Sequence, residues 1–453
     1  MKVKELYDFV QRAEVSKGLG DERRYQIAML GVVGEIGSVL AALKKDILAP
    51  LEGDEGARIL VRGELREQIG DAIWYAVMLA QRLEDPRAQN IFKSDLEMLQ
   101  KQLSGHARND RRVQEELGSD RCAEFIAAVG SLRKFNSLSV DDYQRVAYLT
   151  RRTEWDELRN ICAAVLQQLA AQLTRDFLPN MEMALNHEVR PKDPVDVLGE
   201  ILWHLSALAS LYDLALSDIL SLTVKKAEFR HPENNPGPTH ESKKLAERFP
   251  DRFEVHFVGQ GDGRHAKMYW VDGTGAIKPL GAVLTDNDHD GDGYRFHDVM
   301  HIAFAVHLRW SPNLRSFMGV KRRSIEKIDE VEDGGRAKIL EEAVILEVHQ
   351  RAEELKQYFR DAGQQVQGSP YNYPGSLNFE FLRHLHELCI GHEVYQNPKQ
   401  DWEGAIQYGY DCYYKLEAAN GGIIAVDMTS RTLTFRPMPK DNPLIYPAGP
   451  SGK

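Results

Sequence analysis

The 453-residue chain lacks several features that would assign it directly to a class of protein. It has no uninterrupted run of about 18 apolar residues, so we expect no membrane-spanning helix. The four cysteines, Cys122, Cys162, Cys389 and Cys412, form no CxxC pair, which favours reduced thiols in the cytoplasm over a zinc ribbon. Motifs of the GxxxxGK[ST], GxSxG and strand-linked GxGxxG types are also missing. Their absence argues against P-loop NTPases, serine hydrolases and dinucleotide-dependent dehydrogenases.

An excess of positive charge is missing as well. The 57 Lys and Arg residues are outnumbered by 68 Asp and Glu residues, which gives a net charge of −11. Broad nucleic-acid binding is not expected, because phosphate backbones are bound by basic surfaces. An acidic chain instead suits the recruitment of divalent cations. The length predicts two or three domains.

The first half of the chain has the periodicity of amphipathic helices. Apolar residues recur at helical spacing from Met29 to Leu43 and from Leu65 to Leu79. Between them, residues 49–58 contain proline and glycine and predict a loop, so the two helices should form an antiparallel pair. We expect further scaffold helices, with a helical insertion over residues 86–150.

A change of pattern indicates a second domain. Residues 231–240 are rich in Pro, Gly and Asn and end the helical pattern near residue 235, so we place a linker at 236–250. Alternating apolar residues from Phe253 to Phe257 predict a half-buried strand, and IIAVDMTSRTLTF predicts a hairpin. The predicted fold class is mainly α: a helical bundle over 1–235, then a smaller α+β domain over 251–440 and a loose tail over 441–453.

The helical part contains an internal echo. Residues 69–75 and 198–204 each read Gly, a carboxylate, two apolar residues and Trp after one apolar position. Glu67 and Asp196 stand four positions before the respective carboxylates. We favour a degenerate tandem duplication of segments 1–85 and 150–235 over chance similarity between amphipathic helices.

Three carboxylates in the first segment are candidate metal ligands. Glu35 and Asp71 lie on the two predicted helices, and Glu67 is one turn from Asp71. Converging carboxylates repel one another unless a cation lies between them, and Mg²⁺ bridging nucleotide phosphates would serve. Lys44 and Lys45 close the Glu35 helix and would face phosphate oxygens. The alternative is that these side chains form solvated helix faces.

Two stretches, GEIGSVLAALKK at 34–45 and EQIGDAIWY at 67–75, resemble the MazG-like all-α nucleoside triphosphate pyrophosphatases. That family carries an ExxE motif on one helix and an ExxD motif on the next, and the four acids hold Mg²⁺. Its members cleave between the α and β phosphates and release pyrophosphate and a monophosphate. The resemblance therefore implies a Mg²⁺-dependent pyrophosphohydrolase, with Mn²⁺ as an alternative ion.

The family motif is only partly retained. Glu35 and Asp71 match acidic positions, whereas Ser38 and Gln68 stand where the family has Glu, and Glu67 is adjacent to Gln68. The resemblance implies that the three acids are catalytic metal ligands and that Ser38 and Gln68 assist them. Because neutral oxygens offset less of the ion's charge, a nucleotide sensor that binds without cutting well is the alternative.

A later family element, a Lys and an Arg one turn apart, looks like Lys226 and Arg230. The resemblance implies that this pair binds substrate phosphates. In the second echo Glu200 stands at the Asp position of ExxD and Val197 at the Glu position. Family members pair helices from two subunits, so a homodimer is expected.

A second candidate site lies in the sequence LTDNDHDGDGYRFHDVMH at 284–301. Its alternating acids do not fit an EF-hand, whose twelfth position is Glu, and leave an Asp/Gly turn or a cation site open. His297 and His301 are four apart on a predicted helix, with Asp298 between them, and could face one transition-metal ion. A downstream helix carries Glu341 and Glu342, of which we favour Glu341 as a further ligand. The alternative is a pair of buried, hydrogen-bonded histidines.

The runs DGYRFHDVMHIAFAVHLRWSP, MGVKRRS and DEVEDGGRA give a second resemblance. Over about residues 245–435 the chain is similar to the domain found C-terminal to some MazG-like pyrophosphatases. This likeness supports the first one but supplies no activity for the domain. Three hypotheses result: a pyrophosphohydrolase, a nucleotide sensor in stress or phage response, and a metal-dependent hydrolase with its site in the C-terminal domain.

Overall fold

The computed structural model describes residues 1–52, 55–132, 137–177, 192–230, 242, 244–271, 274–286 and 293–439, with side chains outside 49–60 and 176–177. The chain divides into two compact units, Met1–Glu228 and Phe229–Lys453. The boundary predicted near residue 235, much of the predicted linker at 236–250 and the predicted tail at 441–453 lie outside the described residues.

The first unit is helical throughout its regular structure in the described residues, as the sequence predicts. Its helices are α1 (Val3–Ala13), α2 (Asp21–Glu52), α3 (Glu55–Ala80), α4 (Ile91–Ser104), α5 (Arg108–Leu117), α6 (Ser119–Ser131), α7 (Val140–Ala147), α8 (Trp155–Phe177), α9 (Pro194–Leu211) and α10 (Leu216–Arg230), whose last two residues belong to the second unit.

Helices α2 and α3 form the predicted antiparallel pair. Gly31 has no room for a Cβ beside the ring of Tyr75, and Lys45 pairs with Glu64 further along. The predicted loop at 49–58 is wrong for most of its length, because α2 continues to Glu52 and α3 begins at Glu55. A proline near the C-terminal end of a long helix removes only one backbone donor, and the Ala and Leu residues around it favour helix.

By length and composition alone, α2 could cross a membrane, and α9 and α10 together pass the same test as a bent pair. In this structure the apolar stripe of α2 from Ala28 to Leu43 is part of the buried core of the first unit. A core helix of a bundle needs such a stripe, so the composition of α2 has an explanation without a membrane.

The second unit contains a five-stranded antiparallel sheet in the order β3-β2-β1-β4-β5. The predicted strand and the predicted hairpin are both confirmed: β1 buries Phe253, Val255 and Phe257, and β4 pairs with β5. The strands are β1 (Arg252–Gly259), β2 (His265–Val271), β3 (Ile277–Thr285), β4 (Gly421–Asp427) and β5 (Thr432–Arg436).

Helices supply the rest of the second unit, so the expected α+β class is also confirmed. They are α11 (Val299–His307), α12 (Pro312–Met318), α13 (Glu326–Val331), α14 (Gly335–Asp361), α15 (Phe379–Leu388) and α16 (Lys399–Ala418). Trp310 and Trp402 are buried in the core that these helices form with one face of the sheet.

Residues of the KRRS and VEDGG segments form a buried ion-pair network. The guanidinium of Arg322 lies 2.6 Å from Asp333 and 2.7 Å from Glu393, and the three side chains are at most 2% exposed. The backbone N–H of Arg322 also donates to Asp333. Because removing one partner would leave a buried charge unpaired, these residues tie the loops around α13 to the core.

Candidate functional site

The register of α2 against α3 brings two predicted ligands to the same level. Gly31 on α2 faces Tyr75 on α3. The two helices are antiparallel, so Glu35, one turn after Gly31, lies opposite Asp71, one turn before Tyr75. Both side chains are half-buried rather than fully solvated. The sequence pattern alone predicts the two helices, and their close contact at Gly31 sets the pairing.

Helix α10 closes over this position. Gly70 has no room for a Cβ against the Thr223 hydroxyl, so α10 lies directly on α3. One turn later, Lys226 Nζ donates to Glu67 Oε1 at 2.9 Å and to Asp71 Oδ2 at 2.5 Å. Partial burial would lower the pKa of Lys226, but Asp71 and Glu67 outweigh it and raise the pKa above its ordinary value. We call Glu67, Asp71 and Lys226 the acid–lysine site.

The structure thus brings together three residues that the sequence analysis assigns to metal and phosphate binding. All three side chains are less than a third exposed. Arg230, the expected partner of Lys226, instead places its guanidinium 3.8 Å from the ring centroid of Phe379 in the second unit. A cation–π contact of this kind holds the guanidinium against the ring.

The other residues predicted to bind Mg²⁺ or phosphate differ in their contacts and in their exposure to solvent. Ser38 Oγ donates to the backbone of its own helix at 3.4 Å, and Gln68 is half-buried on α3. Lys44 is exposed. Lys45 forms an ion pair of 2.7 Å with Glu64, two turns from Asp71. Lys45 therefore neutralises a carboxylate in this structure.

The second echo has its own cationic partners. Glu200 is paired with Lys192, and Asp196 lies 3.0 Å from the guanidinium of Arg87. Gly199 packs against α4, just as Gly70 packs against α10. The shared Gly-carboxylate sequence therefore marks, in both places, a helix crossed closely by another helix.

Sequence reasoning missed a buried acid in the first unit. Asp95 on α4 is 2% exposed and accepts a hydrogen bond of 2.7 Å from Tyr143 Oη. Burial, together with the charges of Glu200 and Asp196, raises its pKa to about 8 although that hydrogen bond lowers it. The available signal was its position on the apolar stripe of α4, where an acid has to be paired or neutral.

In the second unit, His297, Asp298 and His301 converge. His297 lies in the turn between a short 3₁₀ segment, Tyr294–Phe296, and α11, and His301 is in the first turn of α11. Asp298 Oδ1 is 3.1 Å from His297 Nε2 and 3.6 Å from His301 Nε2. The ligand atoms of the three residues all lie within 4.8 Å of one another.

Helix α14 brings two carboxylates to the same place, one on each side of His301. Glu341 Oε1 lies 2.8 Å from His301 Nδ1, whereas Glu342 Oε1 lies 3.2 Å from His301 Nε2. Glu342 Oε2 is also 3.8 Å from His297 Nε2. Glu342 therefore lies beside both Nε2 atoms, whereas Glu341, which the sequence favours, lies on the Nδ1 side of His301.

The chain thus joins a helical unit with an acid–lysine site to an α+β unit with a histidine–carboxylate cluster. Residues 237–439 match the MazG C-terminal domain. This part of the chain is accordingly a MazG C-terminal domain, which confirms the resemblance predicted over about residues 245–435. The match lies outside the two stretches at 34–45 and 67–75 that resemble the pyrophosphatase motifs. No curated protein and no solved structure matches the chain.

Proposed function

We propose that the first unit binds a nucleoside or deoxynucleoside triphosphate with Mg²⁺ and hydrolyses it to a monophosphate and pyrophosphate. The observation that carries this proposal is the meeting of Glu67, Asp71 and Lys226 from two helices, with Glu35 opposite Asp71. The MazG C-terminal domain supports it, because that domain accompanies pyrophosphatases in the family the sequence resembles.

The donor set fits a hard divalent cation. Glu67 and Asp71 offer carboxylate oxygens, which are the ligands that Mg²⁺ prefers, and Mn²⁺ accepts the same donors. When bound there, the ion would neutralise phosphate charge and polarise the phosphoryl group under attack. Those carboxylates now accept hydrogen bonds from Lys226, so a metal–nucleotide complex has to draw the ammonium group away from them.

The chain's own residues then have distinct tasks. Lys226 has a flexible stem and exchanges its two carboxylate partners for phosphate oxygens. Ser38 and Gln68 are the neutral groups that we assign to assisting roles, and we assign exposed Lys44 to phosphate binding. We assign no phosphate contact to Lys45 or Arg230, since Glu64 and the Phe379 ring hold them.

The test measures pyrophosphate release from a panel of ribo- and deoxyribonucleoside triphosphates with Mg²⁺ or Mn²⁺. Glu35→Gln and Asp71→Asn remove one charge each, and we expect each to lower kcat about 100-fold, as loss of one transition-state contact does. Glu22→Gln, an exposed change on the same helix as Glu35, is the matched control and should retain activity. If no nucleotide yields pyrophosphate, the proposal is wrong. If both variants keep full activity, the site lies elsewhere.

One observation favours a second function, a sensor that binds nucleotide without turnover. Lys226 already pairs with both Glu67 and Asp71 and offsets one of their two negative charges, and two family acids are replaced by Ser38 and Gln68. A site with its own internal cation can accept a nucleotide while holding metal poorly. Calorimetry with a non-hydrolysable triphosphate, alongside the release assay, separates the two: tight binding with no release supports the sensor.

We further propose that the protein acts in the cytoplasm as a homodimer. All four cysteines are free and buried, which suits a reducing compartment. Light scattering of the purified full-length chain tests the dimer, and a monomer at micromolar concentration would contradict it.

A further inference from the structure

The second unit holds a cluster that the proposed hydrolysis does not use. His297, Asp298 and His301 bring their ligand atoms within 4.8 Å of one another, and Glu342 approaches the two histidines with its two carboxylate oxygens; we call these four residues the histidine–carboxylate cluster. His301 is fully buried, and its Nε2 and Nδ1 lie 3.2 and 2.8 Å from carboxylate oxygens without hydrogen-bond geometry to any described residue. A buried ring nitrogen that points at carboxylates without a hydrogen bond calls for a further partner.

We propose that the histidine–carboxylate cluster binds a divalent first-row transition-metal ion such as Zn²⁺ or Mn²⁺, with Glu341 as a positioning residue behind His301. This site is separate from the acid–lysine site and does not depend on the pyrophosphohydrolase activity.

The spacing of the four residues matches a metal centre. Donors about 2.1 Å from a tetrahedral ion lie roughly 3.4 Å from one another. Asp298 Oδ1 lies 3.1 Å from His297 Nε2 and 3.6 Å from His301 Nε2. Glu342 lies 3.2 Å from His301 Nε2 through Oε1 and 3.8 Å from His297 Nε2 through Oε2. An ion bound by Asp298 and the two histidines would therefore have Glu342 beside it as a fourth donor.

The charges in this region also favour a cation. Asp298 and Glu341 are buried, and Glu342 is half-buried beside them. Within the described part of the chain, their ion pairs are with His297 and His301 alone. With both imidazoles neutral, as metal ligands are, the three carboxylates carry a charge of −3, and a divalent ion reduces it to −1.

The surroundings orient both rings for metal binding. His297 Nδ1 is 2.7 Å from the carbonyl oxygen of Tyr294, whose ring stacks on the imidazole at 4.1 Å. Glu341 lies beside Nδ1 of His301, and its other oxygen accepts the backbone N–H of Asn313 at 2.9 Å. A proton on each Nδ1 leaves both Nε2 lone pairs facing the centre. Metal-bound histidines usually have this tautomer, with the other ring N–H directed at a carboxylate or a carbonyl oxygen.

The identity of the donors selects the class of ion. Two imidazole nitrogens and two carboxylates suit Zn²⁺ or Mn²⁺, whereas Mg²⁺ favours oxygen donors and retains its waters. The side chain of Glu342 is 44% exposed and that of His297 15%, so one side of the centre is open to solvent. An open side allows a water molecule or another small ligand to complete the coordination.

The test uses the full-length chain, stripped of metal with a chelator and titrated calorimetrically with Zn²⁺, Mn²⁺ and Mg²⁺ salts. The titrations are made in an Asp71→Asn background, which weakens ion binding at the acid–lysine site. We expect one tight Zn²⁺ site per chain, weaker Mn²⁺ binding, and Mg²⁺ binding at least about 100-fold weaker than Zn²⁺.

Variants locate the site. Glu342→Gln and Asp298→Asn should each weaken Zn²⁺ binding at least about tenfold, and Glu341→Gln about 10- to 100-fold by releasing His301. Glu347→Gln, a half-buried change on the same helix, is the matched control and should bind like the parent. If Asp298→Asn does not fold, the half-exposed Glu342→Gln still decides the question.

Two results would overturn the proposal. One is the absence of saturable Zn²⁺ and Mn²⁺ binding in the folded parent. The other is a Glu342→Gln variant that binds metal as tightly as Glu347→Gln. Equal affinity for Mg²⁺ and Zn²⁺ would contradict the assignment to a transition-metal ion. None of these results affects the pyrophosphate assay, so the two proposals fail independently.

Discussion

Replacing Lys226 by Met removes the ammonium group from the acid–lysine site and keeps much of the apolar stem. Glu67 and Asp71, whose side chains are only 26% and 20% exposed, would then lose the ammonium group that both of them contact. Exposed ion pairs contribute about 0–1 kcal/mol, and breaking buried ones costs about 3–5 kcal/mol. For this partly buried site we expect a loss of about 2 kcal/mol in the free energy of unfolding.

That loss corresponds to a fall of about 4–8 °C in the Tm of a unit of this size. The pKa of Lys226 is raised above its ordinary value of 10.5, so its stabilising contribution is present throughout neutral pH. The contribution disappears only when the pH rises through the pKa of the folded state. The expected difference between wild type and variant is therefore constant between pH 6 and 8.

Calorimetric unfolding with and without Mg²⁺ is the assay, and Lys225→Met is the matched control, since Lys225 is the exposed neighbour on the same helix. Added Mg²⁺ should raise the Tm of Lys226→Met more than that of wild type, because the carboxylates no longer hold an ammonium group. The reasoning is refuted if Lys226→Met and Lys225→Met unfold at the same temperature and respond alike to Mg²⁺.

Three further predictions concern the packing around these sites. Arg322→Met should cost about 3–5 kcal/mol of unfolding free energy in urea titrations, because it removes the guanidinium that two buried carboxylates contact, whereas Lys321→Met should cost less than about 1 kcal/mol. Because the pKa of Asp95 is raised to about 8, the folded state keeps a proton that the unfolded state loses, and stability should fall as pH rises from about 4 to 8. Asp95→Asn should remove this slope in urea titrations at pH 5 and pH 8; an unchanged slope would exclude Asp95 as its source. Gly70→Ala should lower the Tm and pyrophosphate release together by pushing α10 away, whereas Gly63→Ala, with open space beside it, should raise the Tm slightly.

The spacing of apolar residues in the sequence was sufficient to predict most of the secondary structure. The apolar stripes of α2 and α3 and the alternation in β1 each reflect burial on one side, which the sequence displays directly. The error over residues 49–58 has a local cause, since proline and glycine mark a helix end only when the surrounding residues do not favour helix. The i, i+4 spacing also placed Glu67 and Asp71 on one face without any knowledge of tertiary structure.

The positions of Lys226 and Glu342 at the two sites depend on long-range packing, which residue spacing in the sequence does not reveal. Nothing between residues 71 and 226 indicates that Lys226 reaches Asp71; only the resemblance pointed to Lys226, and the contact requires the glycine on which α10 rests. The choice between Glu341 and Glu342 depends on the rotation of α14 relative to α11. Adjacent residues on a helix point about 100° apart, so a rotation of about that size would exchange their roles.

Lys226 also determines how the helical unit survives without its ion. Proteins whose acids meet with nothing between them depend on metal supply to fold. Here a tethered ammonium group takes that place from the moment the chain folds, so the bundle holds its shape when magnesium is scarce. A metal ion that binds here must displace the ammonium group of Lys226 from the carboxylates. A polyphosphate makes this exchange easier because it offers the displaced lysine new anionic partners.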